Sequence, residues 1–257
     1  MFENTNVYDC SMFNTGIKNI KAGNALSYMF YNCKYLVKLP ELHVTTLAFN
    51  CYQYMFSGCT SLTTIPSNLL PATTLASGCY QYMFEGCTSL TTIPSNLLPA
   101  TTLSDYCYKY MFEGCRSLTT IPSNLLPATK VKAHCYEYMF NYCTSLTTIP
   151  KLPATTLRAY CYSNMFYGCS SLVETPDGWY LPAKTLETNS VSYMFYRCSK
   201  LQKMAVSYSG TITANHWSSF LYGVSSKGTF YYSKNQTKEN IQSIVPSGWT
   251  LVQSSGW

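Results

Sequence analysis

Cys79-Tyr-Gln-Tyr-Met-Phe-Glu-Gly-Cys-Thr-Ser-Leu-Thr-Thr-Ile-Pro-Ser-Asn-Leu-Leu-Pro-Ala-Thr-Thr-Leu103 is one unit of a sequence that repeats itself along most of the chain. Its central phrase, Tyr-Met-Phe followed by Cys and Leu, places a Met at Met29, Met55, Met83, Met111, Met139, Met165 and Met194, a nearly constant spacing. Three stretches, Tyr54 to Leu75, Tyr82 to Leu103 and Tyr110 to Val131, are near-copies over their whole length. A degenerate eighth copy is read around Met12-Phe13. Self-similarity at a fixed period of this size means that no unit can bury its own apolar side, so units must stack on one another.

Each unit divides into three parts. At about 100° per residue, Cys79, Tyr80, Met83, Phe84 and Cys87 fall on one apolar face while Gln81 and Glu85 point away, which predicts a short helix packed inward. Gly86, Gly114 and Gly168 suit the left-handed residue that often ends such a helix. Leu90-Thr91-Thr92-Ile93 has strand-like content and is stopped by Pro94. Ser95 to Leu103 returns the chain, its Asn and Pro favouring turns.

The period lies inside the range of about 20–29 residues of leucine-rich repeats and short of the helical-pair repeats at about 33–47. The expected architecture is therefore an α/β repeat: a right-handed leucine-rich-repeat-like solenoid with one short parallel strand and one short helix per coil. Seven repeats occupy residues 26–204, with an N-terminal cap at 1–25 and a C-terminal cap at 205–257 to cover the open ends. Within the C-terminal cap, Gly228 to Ser233 reads as a strand, Gln236 to Val245 contains a short helix, and Trp249 to Val252 is a closing strand after Pro246-Ser-Gly248.

Composition bounds what such a chain does. It has 257 residues, of which 47% are hydrophobic and only 11% charged, enough to bury a core and too little charge for disorder. No apolar run approaches the roughly 18 residues of a spanning helix, so membrane insertion is not expected, and Met1-Phe2-Glu3-Asn4 does not read as a signal peptide. The net charge of +6 comes from singly scattered Lys and Arg. That argues against nucleic acid, which calls for clustered basic residues.

The 13 cysteines follow the repeat rather than a metal or disulfide pattern. Cys51, Cys79, Cys107, Cys135 and Cys161 lie four residues before the Met; Cys33, Cys59, Cys87, Cys115, Cys143, Cys169 and Cys198 lie four after it. Two columns of equivalent thiols cannot pair completely, and no Cys-x-x-Cys suggests zinc, so they are expected to be small buried hydrophobes in a protein made in a reducing cytoplasm, with no metal and no cofactor. Occasional bridges between neighbouring coils stay open, since stacked Cα atoms lie within disulfide range. His43, His134 and His216 occupy inequivalent positions, and His134 and Cys135 are adjacent and point apart. Glu85 and Glu113 share one repeat position that reads as a solvated face. Without a phosphate loop or a Gly-x-Ser-x-Gly elbow, an enzyme is not expected.

Positions that differ between near-copies are those the shared core does not dictate. The most variable are the triplets before the first Cys column: Ala48-Phe-Asn50, Ala76-Ser-Gly78, Ser104-Asp105-Tyr106, Lys132-Ala-His134 and Arg158-Ala-Tyr160. Aligned on one edge they form a ridge, and Tyr106, Asp105, Lys132, His134, Arg158 and Tyr160 are the candidate ligand-binding residues, rich in types found at binding hot spots. Drift at solvated positions gives the same pattern. The pairs Thr63-Thr64, Thr91-Thr92, Thr119-Thr120 and Thr147-Thr148 should form a ladder that displays at most one Thr of each pair, since strand residues alternate.

Ser27-Tyr-Met-Phe-Tyr-Asn-Cys33-x-x-Leu36 and Tyr82-Met-Phe-Glu-Gly-Cys-Thr-Ser-Leu-Thr-Thr-Ile-Pro94 resemble the BspA-type leucine-rich repeats of bacterial surface proteins, over roughly residues 12 to 204. The ending Val245-Pro-Ser-Gly-Trp-Thr250 is similar to tails on such repeats in bacterial and phage proteins. The resemblance implies a non-enzymatic recognition or adhesion module for a protein or glycan on a cell surface. It also implies a place on a virion, as a fibre or decoration component, or on a cell surface. The alternatives are a structural subunit packing against other subunits of a virion or surface assembly, or a fragment of a bacterial adhesin. Two departures stand out: the units are longer than the usual repeat of that family, and no export signal is read, which favours the phage component.

Overall fold

The computed structural model of the chain describes residues 2–12, 16–176, 181–208 and 210–254. Successive units lie against one another in register, and the backbone shows how. The N–H groups of Tyr80, Tyr82, Phe84 and Gly86 donate to the carbonyls of Cys107, Lys109, Met111 and Glu113 in the next unit at 2.7–3.0 Å. The intervening N–H groups of Gln81, Met83, Glu85 and Cys87 donate back to Gly78, Tyr80, Tyr82 and Phe84 at 3.0–3.2 Å. Each coil is thus a chain of overlapping turns, with alternate peptides bonded along the stack and within the coil.

This corrects the expected helix. In an α-helix every N–H bonds four residues back and every φ is negative. Here every fourth residue has a positive φ: Gly78 at 61°, Tyr82 at 59° and Gly86 at 68°, then Tyr106, Tyr110 and Gly114 in the next unit. The five residues assigned to the inner face are indeed buried, Cys79, Tyr80, Met83, Phe84 and Cys87 at 0–1% exposure. A four-residue turn period and a 3.6-residue helical period place the same side chains inward over so short a span. Gly86, Gly114 and Gly168 hold the positive φ expected of them, without a helix to end.

The strand also moves. Leu90-Thr91-Thr92-Ile93 forms no strand; Leu90 and Ile93 are buried while both threonines are exposed, so the segment does not alternate and displays both members of the pair. A ladder exists there all the same, with Thr91 Oγ1 donating to Thr63 O at 3.3 Å and Thr147 Oγ1 to Thr119 O at 2.9 Å. Parallel bridges form instead in the Thr-Thr-Leu segment, at Thr46 with Thr74, Thr74 with Thr102 and Thr102 with Lys130. The same column widens to two strands, β1 (Thr156–Leu157) and β2 (Thr185–Leu186).

Side chains follow the backbone into columns. The rings of Phe30, Phe56, Phe84, Phe112, Phe140 and Phe166 stack at 5.6–5.7 Å, and those of Tyr52, Tyr80, Tyr108, Tyr136 and Tyr162 at 5.7–5.9 Å, all of them buried. All the cysteines are buried and free. The second Cys column has a partner the sequence did not suggest: each thiol donates to the Phe carbonyl of the preceding coil, as Cys87 to Phe56, Cys115 to Phe84 and Cys143 to Phe112 at 3.2–3.3 Å. Cysteine is here both filler and donor, in a place too dry for an unpaired hydroxyl.

The stack extends beyond the recognisable repeats at both ends. Phe2 stacks on Phe30 at 5.4 Å, and Phe2 N and Asn4 N donate to Met29 O and Tyr31 O. Met12 is 94% exposed, so the repeat register of this coil is set by Phe2 rather than by Met12-Phe13. Phe13 itself lies outside the described residues. Past Leu201, the carbonyls of Ser218, Phe220 and Tyr222 accept from the N–H groups of Tyr193, Phe195 and Arg197, and Ser219 and Gly223 repeat the positive φ. The coil pattern therefore runs on into the stretch assigned from sequence to the C-terminal cap. There β3 (Lys203–Val206) leads through α1 (Ala214–Trp217) to β4 (Gly228–Ser233), α2 (Lys238–Gln242) and β5 (Trp249–Ser254), forming a parallel sheet in the order β3-β4-β5. The strand, helix and closing strand read from this segment are all present.

Two outcomes follow from these contacts. With the chain unfolded in denaturant without reductant, thiol titration should find most of the 13 cysteines free; fewer than half would contradict the reduced core. Tyr82→Ala keeps a left-handed backbone and loses two ring contacts, so urea unfolding should show a loss of roughly 2 kcal/mol. Tyr82→Gly should be milder than Ala by about 1 kcal/mol, because glycine adopts that φ freely.

Candidate functional site

The outward side chains also stack. Tyr28, Tyr54, Tyr82, Tyr110 and Tyr138 form a half-exposed ladder of nearly parallel rings 4.3–4.7 Å apart. All five have a positive φ, between 57° and 59°. A bulky residue in that region is strained by about 1–2 kcal/mol, and ring stacking of about 0.5–1.5 kcal/mol per pair offsets it. The ladder is interrupted in the next coil, where Asn164 takes the place of Tyr, and a ring returns at Tyr193.

The variable triplets form an edge beside this ladder. Tyr106, His134 and Tyr160 stack face to face, with ring centres 4.6 and 4.8 Å apart and planes within 7°. Each has a positive φ, so the same backbone constraint points all three outward. Asp105 Oδ1 accepts from Ala133 N at 3.0 Å, tying one triplet to the next. Arg158 pairs with Glu187, Nη1 to Oε1 at 2.5 Å, and Glu187 Oε2 also accepts from Ala159 N. Arg158 holds the Glu187 carboxyl below its ordinary range. Lys132 is exposed beside His134. The six candidates thus share one edge, with Tyr106, His134 and Tyr160 in direct contact, while Asp105 and Arg158 are engaged in links between coils.

Beneath the edge lies an ion-paired layer. Glu137, 7% exposed, accepts from Lys109 Nζ at 2.6 Å and contacts His134 Nδ1 at 2.7 Å. The Lys109 ammonium sits 5.5 Å from the Tyr106 ring centre and 5.3 Å from that of Tyr110. His134 is therefore turned toward a carboxylate and away from Cys135, whose thiol burial pushes up to about 12. A thiol so rarely ionised is a poor nucleophile. Among the described residues no group of three or more His, Cys, Asp or Glu could hold a metal ion, and no helix is long and apolar enough to cross a membrane.

The Glu85 and Glu113 position is not the fully solvated face it resembled. Both are half-buried; Ser57 Oγ donates to Glu85, and Asn141 Nδ2 donates to Glu113 at 2.7 Å. Burial pushes the Glu113 carboxyl up to about 7, partly opposed by the Asn141 hydrogen bond.

The family model of the BspA type Leucine rich repeat region, in six copies, matches residues 2–109, 76–176, 98–220 and 133–244, overlapping matches that span nearly the whole chain. The chain belongs to the BspA-type leucine-rich repeat family. No curated protein and no solved structure matches it significantly. In this BspA-type chain the residues that sequence reasoning passed over are Lys109, Glu137, Glu187 and Asn164. The first two were legible as opposite charges one period apart, at the position that carries Gln53 and Gln81, and Glu187 likewise stands one period after Arg158. Asn164 is the single departure from Tyr before Met-Phe among the seven repeat phrases.

Glu113, beside Tyr82 and Tyr110 of the tyrosine ladder, gives a test of that surface's electrostatics. The folded chain holds this proton up to a pH near 7 and the unfolded chain releases it near 4.5. Between those values the folded state binds more protons, so this group makes stability fall as pH rises through the window. Glu113→Gln should remove that slope, on the order of 2 kcal/mol after discounting for solvent screening, in urea unfolding at pH 5 and pH 7.5.

Proposed function

We propose that the chain is a non-enzymatic recognition module, a right-handed repeat solenoid that attaches to a protein or glycan on a cell surface. Its contact edge is formed by Tyr106, Asp105, Lys132, His134, Arg158 and Tyr160. The observation that carries the reading is the Tyr106-His134-Tyr160 stack: three rings projecting from positions that the repeat core leaves free, on a rigid series of coils. Aromatic rings held this way offer contact area at little entropic cost, and the neighbouring Lys132 and Arg158 add polar selectivity. Family membership and the position of His134 and Cys135 support a binding role over a catalytic one. Residues 1–25 and 205–257 continue the coil pattern and close its two ends, and the resemblance of the ending Val245 to Thr250 to tails on such repeats supports carriage on a virion or bacterial surface.

Fluorescent full-length chain applied to panels of bacterial and epithelial cells should bind saturably. Tyr106, Lys132 and Tyr160 changed together to Ala should leave a folded protein whose attachment is abolished. Saturable binding retained by the triple variant would remove the edge from the interface, and no binding to any cell would remove the adhesion reading.

A further inference from the structure

The break in the tyrosine ladder is a space as well as a substitution. Tyr138 stacks on Tyr110 at 4.5 Å, and among the described residues no ring stacks on its other face. Two coils on, Tyr193 takes up the same backbone position with the same φ of 58°. Between them Asn164 leaves a notch of about 410 Å³, flanked by Tyr160 and Tyr167 and floored by Asn164 and Ser192. Where two ladder neighbours are separated by a single step, these two walls are separated by two, so the notch lacks one ring.

We propose that this notch is a saccharide subsite that takes one neutral pyranose ring between Tyr138 and Tyr193. The assignment rests on the recognition reading above and names a ligand class for it. A sugar ring offers flat C–H faces to the two walls and hydroxyls around its edge. The notch has matching edge partners. Asn164 is 8% exposed and gives one amide hydrogen to Ser163 Oγ at 2.8 Å, while its Oδ1 has no partner among the described residues. Asn189 donates to Tyr160 Oη at 2.9 Å and accepts from Ser192 Oγ at 3.1 Å, so Tyr160 keeps its own hydrogen to donate. These groups are oriented before a ligand arrives, which lowers the entropic cost of binding.

The same groups argue against the other occupants. The Glu137 carboxylate lines the notch and opposes a phosphate or carboxylate, and the cations near it are engaged, Lys109 with Glu137 at 2.6 Å and Arg197 over the Tyr196 ring, 5.5 Å from its centre. An aromatic side chain from a protein ligand would satisfy the walls but leave the Asn and Ser floor desolvated and unpaired.

Saturation-transfer NMR on the full chain with neutral methyl pyranosides of glucose, galactose, mannose and N-acetylglucosamine tests this directly. At least one should receive saturation. Asn164→Tyr should abolish the signal with an unchanged melting temperature, because tyrosine already occupies this backbone position in the neighbouring coils. Tyr193→Ala should weaken binding at least about tenfold, the loss of one stacking wall, and serves as the readout should Asn164→Tyr fail to fold. Transfer to no pyranoside, or equal transfer to Asn164→Tyr, overturns the subsite. So does notch-dependent binding of N-acetyltyrosinamide in preference to every sugar. Cell attachment by the unaltered chain with transfer to no pyranoside would reject the subsite alone; pyranoside binding by the unaltered chain without cell attachment would reject the adhesion reading alone.

Discussion

The hydrogen bond from an N–H of one coil to the carbonyl of its equivalent neighbour, made at every second residue, fixes most of what this chain does structurally. It requires equivalent peptides to lie directly over one another, and that requirement sets the conformation of each residue between them. Reversing the chain direction within four residues while keeping the bonds aligned forces a positive φ at Gly78, Tyr82 and Gly86 and at their counterparts. Glycine accepts this readily. Tyrosine does so at a cost, and the stacking of its ring on the next coil offsets that cost. Strain and stacking are therefore the same residues seen from two sides, and the outward aromatic ladder is a product of the backbone rather than an ornament on it.

The interior obeys the same rule. Because translation along the stack carries each side chain onto its equivalent, like must tolerate like: phenylalanine on phenylalanine, thiol near thiol, methionine on methionine. Charges cannot be placed this way inside. Toward the surface they alternate between coils, as in Asp9 with Lys38, Lys109 with Glu137, Arg158 with Glu187 and Glu174 with Lys203. Apart from the largely buried Lys109 and Glu137, such exposed pairs add little stability each. What they do is hold the register of neighbouring coils and position the edge that carries Tyr106, His134 and Tyr160.

Columns, buried thiols and the shared edge were legible because they depend only on the period. The secondary structure was not. A helical wheel and a four-residue turn agree, from Cys79 to Cys87, about which side chains face inward, and only φ distinguishes them; the regular placing of Gly, Asn and Tyr at one-in-four spacing was the available signal. The Thr pairs misled because a strand alternates and this segment does not, so Leu90 and Ile93 both face inward. At the ends the repeat faded from sequence before it faded from structure. Met1-Phe2-Glu3-Asn4 stands one period before Met29-Phe30-Tyr31-Asn32 and was passed over as a chain start. The coil at Trp217 to Gly223 keeps the backbone pattern, and Ser219-Phe-Leu-Tyr-Gly-Val-Ser-Ser226 echoes Asn164-Met-Phe-Tyr-Gly-Cys-Ser-Ser171, but without the Met-Phe, Cys and Leu that mark the phrase it was passed over.

The direction of the coil-to-coil hydrogen bonds has a mechanical meaning. They run along the axis of stacking, so a force drawing the two ends apart loads one interface at a time instead of shearing many together. The chain would then lengthen coil by coil, each release adding the contour of one repeat, roughly 95 Å of extended polypeptide. A tether built this way absorbs a sudden pull by stretching, and the coils that have not yet opened keep their surfaces intact.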